Sequence, residues 1–236
     1  MCPRESPPVF RRIRTIRTLL QLPRGKSFGT RDRGTVVTLH DELLAGLGDS
    51  GLEQVAGMLD TDAVTARNVL EAVSGAIVGG MARNAEHPDG AEALRGALDD
   101  HMDTDPFNGD VASLTRDGHS ILGHVLGGQG TEQIAAGLAR HAGVGIGAVM
   151  RLMPLIAPMV MSLLANRATG RDMDAATLAD DLHREQESLP RELADLLDGL
   201  LDGIFGGMSQ RTGLYEFGDA DRTERQVTPG SSNPEW

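Results

Sequence analysis

Residues 117–130 have the sequence DGHSILGHVLGGQG, the most distinctive stretch of the chain. Its aliphatic side chains recur with the spacing of one helix face. They are Ile121, Leu122, Val125 and Leu126. The stretch therefore predicts one short helix, with Asp117 or Ser120 as its N-cap. Gly127 and Gly128 are expected to end this helix, because glycine reaches the left-handed geometry that closes a helix.

Two histidines in this stretch, His119 and His124, raise the question of a metal site. Their spacing of five residues places them about 140° apart on a helix of 3.6 residues per turn. Histidine pairs that bind zinc on one helix stand three or four residues apart. The two side chains are therefore predicted to be packing, capping or exposed polar residues. The acidic loop at 99–110 does not match the ligand spacing of a calcium loop, and no cofactor or metal is predicted.

The sequences on either side of the central stretch resemble each other. GLEQVAG, from residue 51, is echoed by GTEQIAA, from residue 130. An acidic helix that ends in histidine closes each half, at His101 and His183. We predict a duplicated helical unit whose copies bury their apolar faces against each other. The two copies span about 51–101 and 130–183.

Hydrophobic residues recur with helical periodicity over most of the chain. This pattern predicts an all-α fold, a compact helical bundle made of two similar helical halves. In the first half, helices are predicted at 39–48, at 52–59, from a cap at Asp60 or Thr61 to about residue 85, and at 91–98. In the second half, they are predicted at 144–165, from a cap at Asp172 or Asp174 to about residue 187, and from Pro190 to a stop at Gly206 and Gly207.

Two helices have faces that suggest close packing. Gly75, Gly79 and Gly80 lie along the helix that ends near residue 85. A glycine inside a helix costs about 1 kcal/mol relative to alanine, so we expect a neighbouring helix to pack closely on this face. The last helix carries a stripe of aliphatic residues on one face. Its members are Leu193, Leu196, Leu197, Leu200, Leu201 and Ile204. The stripe is predicted to be either the lid of the core or a dimer face.

Residues 144–165 form the most apolar window and reach the roughly 20 residues that a membrane span needs. The window contains Arg151, Pro154 and Pro158, and a central arginine costs about 3 kcal/mol on membrane insertion. We therefore predict a buried central helix bent by proline and no transmembrane span. The methionines of this helix are expected to fill the core.

Charge is divided unevenly along the chain. Residues 1–34 carry nine Arg or Lys against two acidic residues, a balance of +7, so the rest of the chain carries −19 and the whole −12. Such an acidic body is expected to repel nucleic acid, and the 3% of aromatic residues argue against base-stacking surfaces. Cys2 is the only cysteine, which excludes an intrachain disulfide scaffold.

The basic extension at 1–35 has apolar residues spaced like one face of a short helix. They are Phe10, Ile13, Ile16, Leu19 and Leu20. Three interpretations stay open: a segment that attaches to a membrane surface, nucleic acid or the acidic body; a disordered extension; or a stretch upstream of the true start, near Val36 or Val37. No secretion-signal pattern is present, and a cytoplasmic location is expected. The helical domain is predicted at 36–208 and a disordered tail at 209–236.

Three strings together resemble a known family. DGHSILGHVLGG is followed by TEQIAAGLARHAGV and VMRLMPLIAPMVMSLLANR, and the series is similar to the bacterial family called domain of unknown function 937, the YidB-like group. The family segment Gly-x-x-Ile-Leu-Gly-His-aliphatic-x-Gly is matched from Gly118 to Gly127. The resemblance covers about 39–182, and Gly75 stands where a proline is expected. The family's name states that its activity is not established, so the resemblance implies no catalytic residues.

No nucleophile elbow, phosphate-cradling loop, dinucleotide fingerprint or metal-spaced Cys/His cluster occurs in the sequence. The leading hypothesis is a non-enzymatic helical protein that acts through contacts with an unknown protein partner or through self-association as a homo-oligomer. The alternatives are attachment to a membrane surface or nucleic acid through the N-terminal segment, and an enzyme with an acidic pocket between the halves. The candidate structural or interaction positions are Gly118, His119, Gly123, His124, Gly127, Gly128, Pro154 and Pro158.

Overall fold

The computed structural model describes residues 37–101, 107 and 110–212, with side chains as far as residue 206. These residues form eight helices, and no strand occurs among them. The helices are α1 (Leu39–Leu59), α2 (Ala63–Ala85), α3 (Pro88–Asp99), α4 (Val111–Val125), α5 (Gly127–Ala142), α6 (Ile146–Gly170), α7 (Ala175–Glu187) and α8 (Arg191–Thr212). The predicted all-α fold is confirmed. The extension at 1–35 and the chain beyond 212 lie outside the described residues, and the predicted duplication stays a prediction.

α1 consists of two helical segments joined at a kink, and the sequence predicts two helices here. Thr38 caps it: the Thr38 Oγ1 accepts a hydrogen bond from the Asp41 N–H at 3.1 Å, and the Asp41 carboxylate accepts one from the Thr38 N–H at 3.1 Å. The bend lies at Gly48, whose φ of +62° is a left-handed value that suits glycine. The two predicted helices are confirmed, and the break between them lies at Gly48, one residue before the predicted stretch at 49–51.

α2 and α6 form the centre of the bundle and are buried along most of their length. Leucines from other parts of the bundle cover the glycines at 75, 79 and 80 in α2. A Cβ added at Gly79 would lie 2.6 Å from Leu201 Cδ1, and one added at Gly80 would lie 2.6 Å from Leu126 Cδ2. The close packing expected on the glycine face is confirmed, and the burial it provides offsets the helix cost of these glycines.

α4 crosses α6 at a direct backbone contact. A Cβ added at Gly118 would overlap the carbonyl oxygen of Pro154, so only glycine fits there. The carbonyl is available because Pro158, four residues later in α6, has no N–H to donate to it. The Cα of Gly118 lies beside an oxygen that lacks its usual donor four residues later in the helix, the setting of a weak Cα–H···O contact. Gly118 of the central stretch and the two prolines of α6 therefore contribute to the same contact between helices.

α6 is the helix of the described part that is long and apolar enough to cross a membrane, judged by length and composition alone. Inside the bundle, 78% of its most apolar window is buried. The helix is continuous through Pro154 and Pro158. Met153, Met159 and Met161 lie in the core, so these methionines fill the centre of the bundle as predicted.

α8 covers the core with the predicted stripe. Leu193, Leu197 and Leu201 are buried. Leu200 occupies the space beside Gly137, where an added Cβ would lie 2.5 Å from the Leu200 Cδ1. Of the two roles predicted for the stripe, the structure shows the lid of the core.

Left-handed glycines lie at three places in the described chain where a helix bends, begins or ends. Gly127 has a φ of +72° at the junction of α4 and α5, as predicted, whereas Gly128, the next residue of α5, is not left-handed. The predicted stop of α8 at Gly206 and Gly207 is wrong, because the helix continues to Thr212. Among the described glycines, those with positive φ are Gly48, Gly127 and Gly143. A glycine that keeps helical geometry weakens a helix without ending it.

The N-cap of α2 was predicted one or two residues too early. The Asp62 carboxylate accepts hydrogen bonds from the N–H groups of Val64 at 2.8 Å and Thr65 at 2.9 Å. Asp60 instead ends α1 in a left-handed conformation, with φ +54°. The preceding helix therefore decides which acidic residue is free to cap the next one. At α7, Asp174 is the cap, one of the two residues predicted.

α3 and α4 also begin earlier than predicted. α3 starts at Pro88, not at Ala91, because proline is tolerated in a first helical turn. α4 is capped by Asp110, whose carboxylate accepts from the Ser113 N–H at 3.1 Å. Asp117 and Ser120, predicted as caps, therefore lie inside α4.

Candidate binding cleft between α3 and α4

α3 and α4 lie on either side of an open cleft with a volume of about 530 Å³. Binding sites for small molecules have volumes of roughly 300–1,000 Å³ and are mostly apolar. α3 packs mainly on α2, α6 and α7 rather than on α4. The seam between α3 and α4 is therefore left unfilled by the described residues.

Each wall of the cleft is one face of a helix. On α3 the wall residues follow the i, i+3, i+4, i+7 spacing of one face: Gly90, Ala93, Leu94 and Ala97. On α4 they are Ser120, Ile121, His124 and Val125. The α3 wall is mostly small, and its two alanines are exposed. A wall of small side chains leaves room for a large group to approach the backbone of α3.

The floor of the cleft consists of buried methionines and one asparagine. Met81 of α2 and Met161 of α6 are at most 4% exposed. Between them, the Asn84 Nδ2 donates to the backbone oxygens of Gly80 and Val125, both at 2.9 Å. This amide ties α2 to the end of α4. Because methionine adapts its shape readily, the floor can accommodate more than one apolar shape.

Polar groups are confined to the rim. Asp100 and His124 are exposed and His101 is half-buried. The His124 Nδ1 lies 2.7 Å from the backbone oxygen of Ser120, a bond it can make only as the donor. In the neutral ring the Nε2 is then the acceptor. The cleft is thus an apolar trough with a few polar groups at its mouth.

The structure separates the eight candidate positions. Gly118 and Pro154 meet at the helix crossing, and Pro158 is buried close by. Of the eight, His124 alone lines the cleft. The others are His119, Gly123 and Gly128, which are exposed, and Gly127, which turns the chain. The His119 Nδ1 donates to the backbone oxygen of Thr115 at 2.6 Å, so both histidines are engaged with their own helix, one turn back.

A second cavity, of about 40 Å³, lies beside His40, Glu71 and Glu185. The His40 Nδ1 is buried and has no hydrogen-bond partner within the described ranges. Burial lowers the pKa of His40, and the charge of Glu71 opposes this shift without cancelling it. A water needs about 10–15 Å³, so the cavity can hold water but no substrate of ordinary size.

A buried ion cluster joins three helices around Arg167. The Arg167 Nη2 donates to the Glu42 Oε1 at 2.9 Å, and its Nη1 donates to the Asp181 Oδ2 at 3.2 Å and to Glu185. The side chains of Arg167 and Asp181 are 4% and 6% exposed. Glu185 also accepts from the Leu39 N–H at 2.8 Å. The cluster therefore fastens the start of α1 to the end of α6 and to α7.

Charges in this cluster are balanced. Arg171 and Arg184 pair with Asp181 from the more exposed side, at 3.2 and 3.3 Å. Burial alone would lower the pKa of Arg167, but the hydrogen bonds and charges of Glu185 and Glu42 raise it above its ordinary value. The guanidinium thus stays charged among carboxylates that neutralise it. Sequence reasoning missed this cluster, whose signal was a single arginine at the end of a long apolar helix.

Chemical groupings in the described part of the chain are few. There, no set of three His, Cys, Asp or Glu side chains lies close enough to hold a metal ion. The buried carboxylate of Asp181 is engaged with arginines, and the cleft has its acidic and histidine side chains at the rim. The cleft therefore offers an apolar surface for binding.

Comparison with known proteins identifies the chain at the level of a family. No curated protein and no solved structure matches it. The family described as bacterial protein of unknown function (DUF937) matches residues 41–167. That range runs from the first turn of α1 to Arg167 in α6 and includes the cleft and the Gly118–Pro154 contact. The match covers more than half of the chain, which therefore belongs to this bacterial family of proteins of unknown function, DUF937.

Proposed function

We propose that the protein is a non-enzymatic helical binding module whose α3–α4 cleft receives an amphipathic helix of a positively charged protein partner. The observation that carries this proposal is the apolar cleft, about 530 Å³ in volume, between two helices that leave their seam open. Amphipathic helices dock in such grooves by inserting aliphatic residues at the spacing of one helix face.

The lining favours a helix over a flat ring or a sugar. Aliphatic and methionine side chains form the apolar surface, and no aromatic residue lines the cleft among the described positions. The exposed Ala93 and Ala97 let a neighbouring helix approach closely, as small residues do at other helix contacts in this bundle. Methionines on the floor can adjust to different anchors.

Charge favours a basic partner over a second copy of the chain. The chain after residue 34 carries −19, and two such bodies repel each other while attracting a positively charged segment. The features that motivated self-association are also occupied within the chain: Gly75 and Gly79 of α2 lie against Leu197 and Leu201 of the α8 stripe.

Site-specific photocrosslinking in the native host tests the proposal. A photoreactive p-benzoylphenylalanine replaces Ala97 on the cleft wall, and in a matched control it replaces Ala112, an exposed alanine at the start of α4. We expect a protein adduct from position 97 that is absent from position 112. Its crosslinked peptide should be an amphipathic, basic helix, and Ala93→Trp in the same chain should abolish the adduct by filling the cleft.

Three results would contradict the proposal. An adduct between two copies of this chain would mean that the cleft mediates self-association. Equal adducts from both positions, or an adduct that survives Ala93→Trp, would show that the cleft is not the docking site. Circular dichroism and thermal unfolding of each variant confirm that the exposed substitutions leave the fold intact.

A further inference from the structure

The position of Asp100 allows the partner to be described more closely, on the basis of the proposed function. We infer that the docked helix carries a lysine or arginine that pairs with Asp100, two turns along from an aliphatic anchor beside Ala93. Asp100 is the C-cap of α3 and is exposed at the mouth of the cleft. The carboxyl end of a helix carries a partial negative charge, which adds to the attraction for a cation.

The two acidic residues at this helix end are not equivalent. Asp99 is paired with Arg95, whose Nη1 lies 2.5 Å from the Asp99 Oδ1 and whose Nε donates to the Met173 backbone oxygen at 2.9 Å. Within the described ranges, the carboxylate of Asp100 has no basic side chain within ion-pair distance, although it lines the cleft. A cation supplied by the partner would complete this site.

The spacing follows from the geometry of α3. Gly90, Ala93, Ala97 and Asp100 fall at i, i+3, i+7 and i+10, along one face. At 1.5 Å per residue, Ala93 and Asp100 lie about 10 Å apart along the helix axis. A partner helix lying along this wall therefore spans the same distance in seven residues. The partner helix should therefore carry an aliphatic residue, a second aliphatic residue three or four positions later, and a basic residue seven positions after the first.

A displayed library of 18-residue helical peptides tests this pattern. Two positions, three or four residues apart on one face, are varied among Ala, Leu, Ile and Val. All the remaining positions, including the one seven residues from the first aliphatic position, are varied equally among Gln, Glu and Lys. The library is selected separately on the wild-type chain, on Asp100→Asn, on Ala93→Trp and on Asp195→Asn. Asp195 is an exposed residue of α8 and serves as the charge-matched control.

We expect wild-type binders that carry lysine seven residues from an aliphatic anchor, and no binders on Ala93→Trp. An ion pair at an exposed site contributes up to about 1 kcal/mol, so replacing this lysine by glutamine should weaken binding about three- to fivefold on the wild-type chain. The lysine preference should disappear on Asp100→Asn and persist on Asp195→Asn.

The other outcomes separate this inference from the proposed function. Binders that Ala93→Trp abolishes, but whose lysine preference is absent or survives Asp100→Asn, would overturn the inference and leave the cleft as a docking site. A failure to select binders, or binders indifferent to Ala93→Trp, would overturn the proposed function together with the inference.

Discussion

The two sides of α4 differ in how they meet their neighbours. Toward α6, Gly118 touches the Pro154 carbonyl and Leu122 is 2% exposed. Toward α3, Ile121 is only half-buried and His124 is exposed. The difference shows that the bundle completes its core without closing the α3–α4 seam. Residues in the seam are therefore expected to matter less for folding than their neighbours one position away, which leaves them available for binding.

The largest effect on stability is expected in the buried Arg167 cluster, at the C-terminal end of α6. Arg167→Met would leave the buried Asp181 and its neighbour Glu185 without their central cation, which should lower the free energy of unfolding by about 3–5 kcal/mol. Arg171→Met, which removes a half-exposed arginine from the same carboxylate, should cost less than about 1 kcal/mol. Urea denaturation measures both.

A double variant controls for the origin of this loss. Adding Asp181→Asn to Arg167→Met removes the charge that the first change leaves buried, so part of the stability should return. If the double variant is as unstable as the sum of the two single ones, the cluster acts through packing and not through charge.

Gly118→Ala should have the next largest effect. The new Cβ has no space beside the Pro154 carbonyl, so the helices must separate, at a cost of about 3 kcal/mol, the upper end of the range for overpacking. Gly123→Ala, on an open part of the same helix, should instead stabilise by about 0.5–1 kcal/mol, since alanine is the better helix former. Thermal unfolding of the two variants measures both changes in stability. Equal changes would contradict the backbone contact between Gly118 and Pro154.

Leu122→Ala and Ile121→Ala compare the two sides of α4 at adjacent residues. Truncation of the buried Leu122 should cost about 3 kcal/mol, and truncation of the half-buried Ile121 about 1 kcal/mol, in proportion to the smaller area it removes from water. Guanidinium denaturation gives both values. Equal losses would mean that the cleft is closed in solution.

Sequence periodicity was sufficient to predict most of the helices and the interior of the bundle. The leucine stripe of α8, the apolar run of α6 and the glycine face of α2 all pack as one-dimensional patterns indicate. Helix starts were less predictable, because several acidic residues near each start compete for the cap. Asp60 ends α1 and so leaves Asp62 to begin α2, a choice that depends on the preceding helix.

The site could not be predicted because its residues are related only by tertiary packing. Arg167 and Glu42 are 125 positions apart, and no periodic pattern connects them. The cleft depends on α3 and α4 failing to close against each other, which is a property of the whole bundle. The one local signal was the small-residue face of α3, at Gly90, Ala93 and Ala97, and that signal is equally typical of a helix packed against a neighbour.

The smallest effect on stability is expected at the cavity beside His40. This cavity is less closed than the α4–α6 crossing and less open than the cleft. Burial lowers the pKa of His40 below its ordinary value of about 6.5. In mildly acidic solution the unfolded chain therefore binds more protons at this residue than the folded one. Its contribution to stability is complete above about pH 6.5 and is lost as the pH falls toward the lowered pKa.

His40→Gln removes this titration and should reduce the loss of unfolding free energy between about pH 7.5 and pH 5.5. His183→Gln, at an exposed position of α7, is the matched control for the substitution itself. Urea denaturation at the two pH values compares all three proteins. An unchanged pH dependence in His40→Gln would mean that water entering the cavity solvates the charged ring, so that this cavity behaves as an open site, as the cleft does.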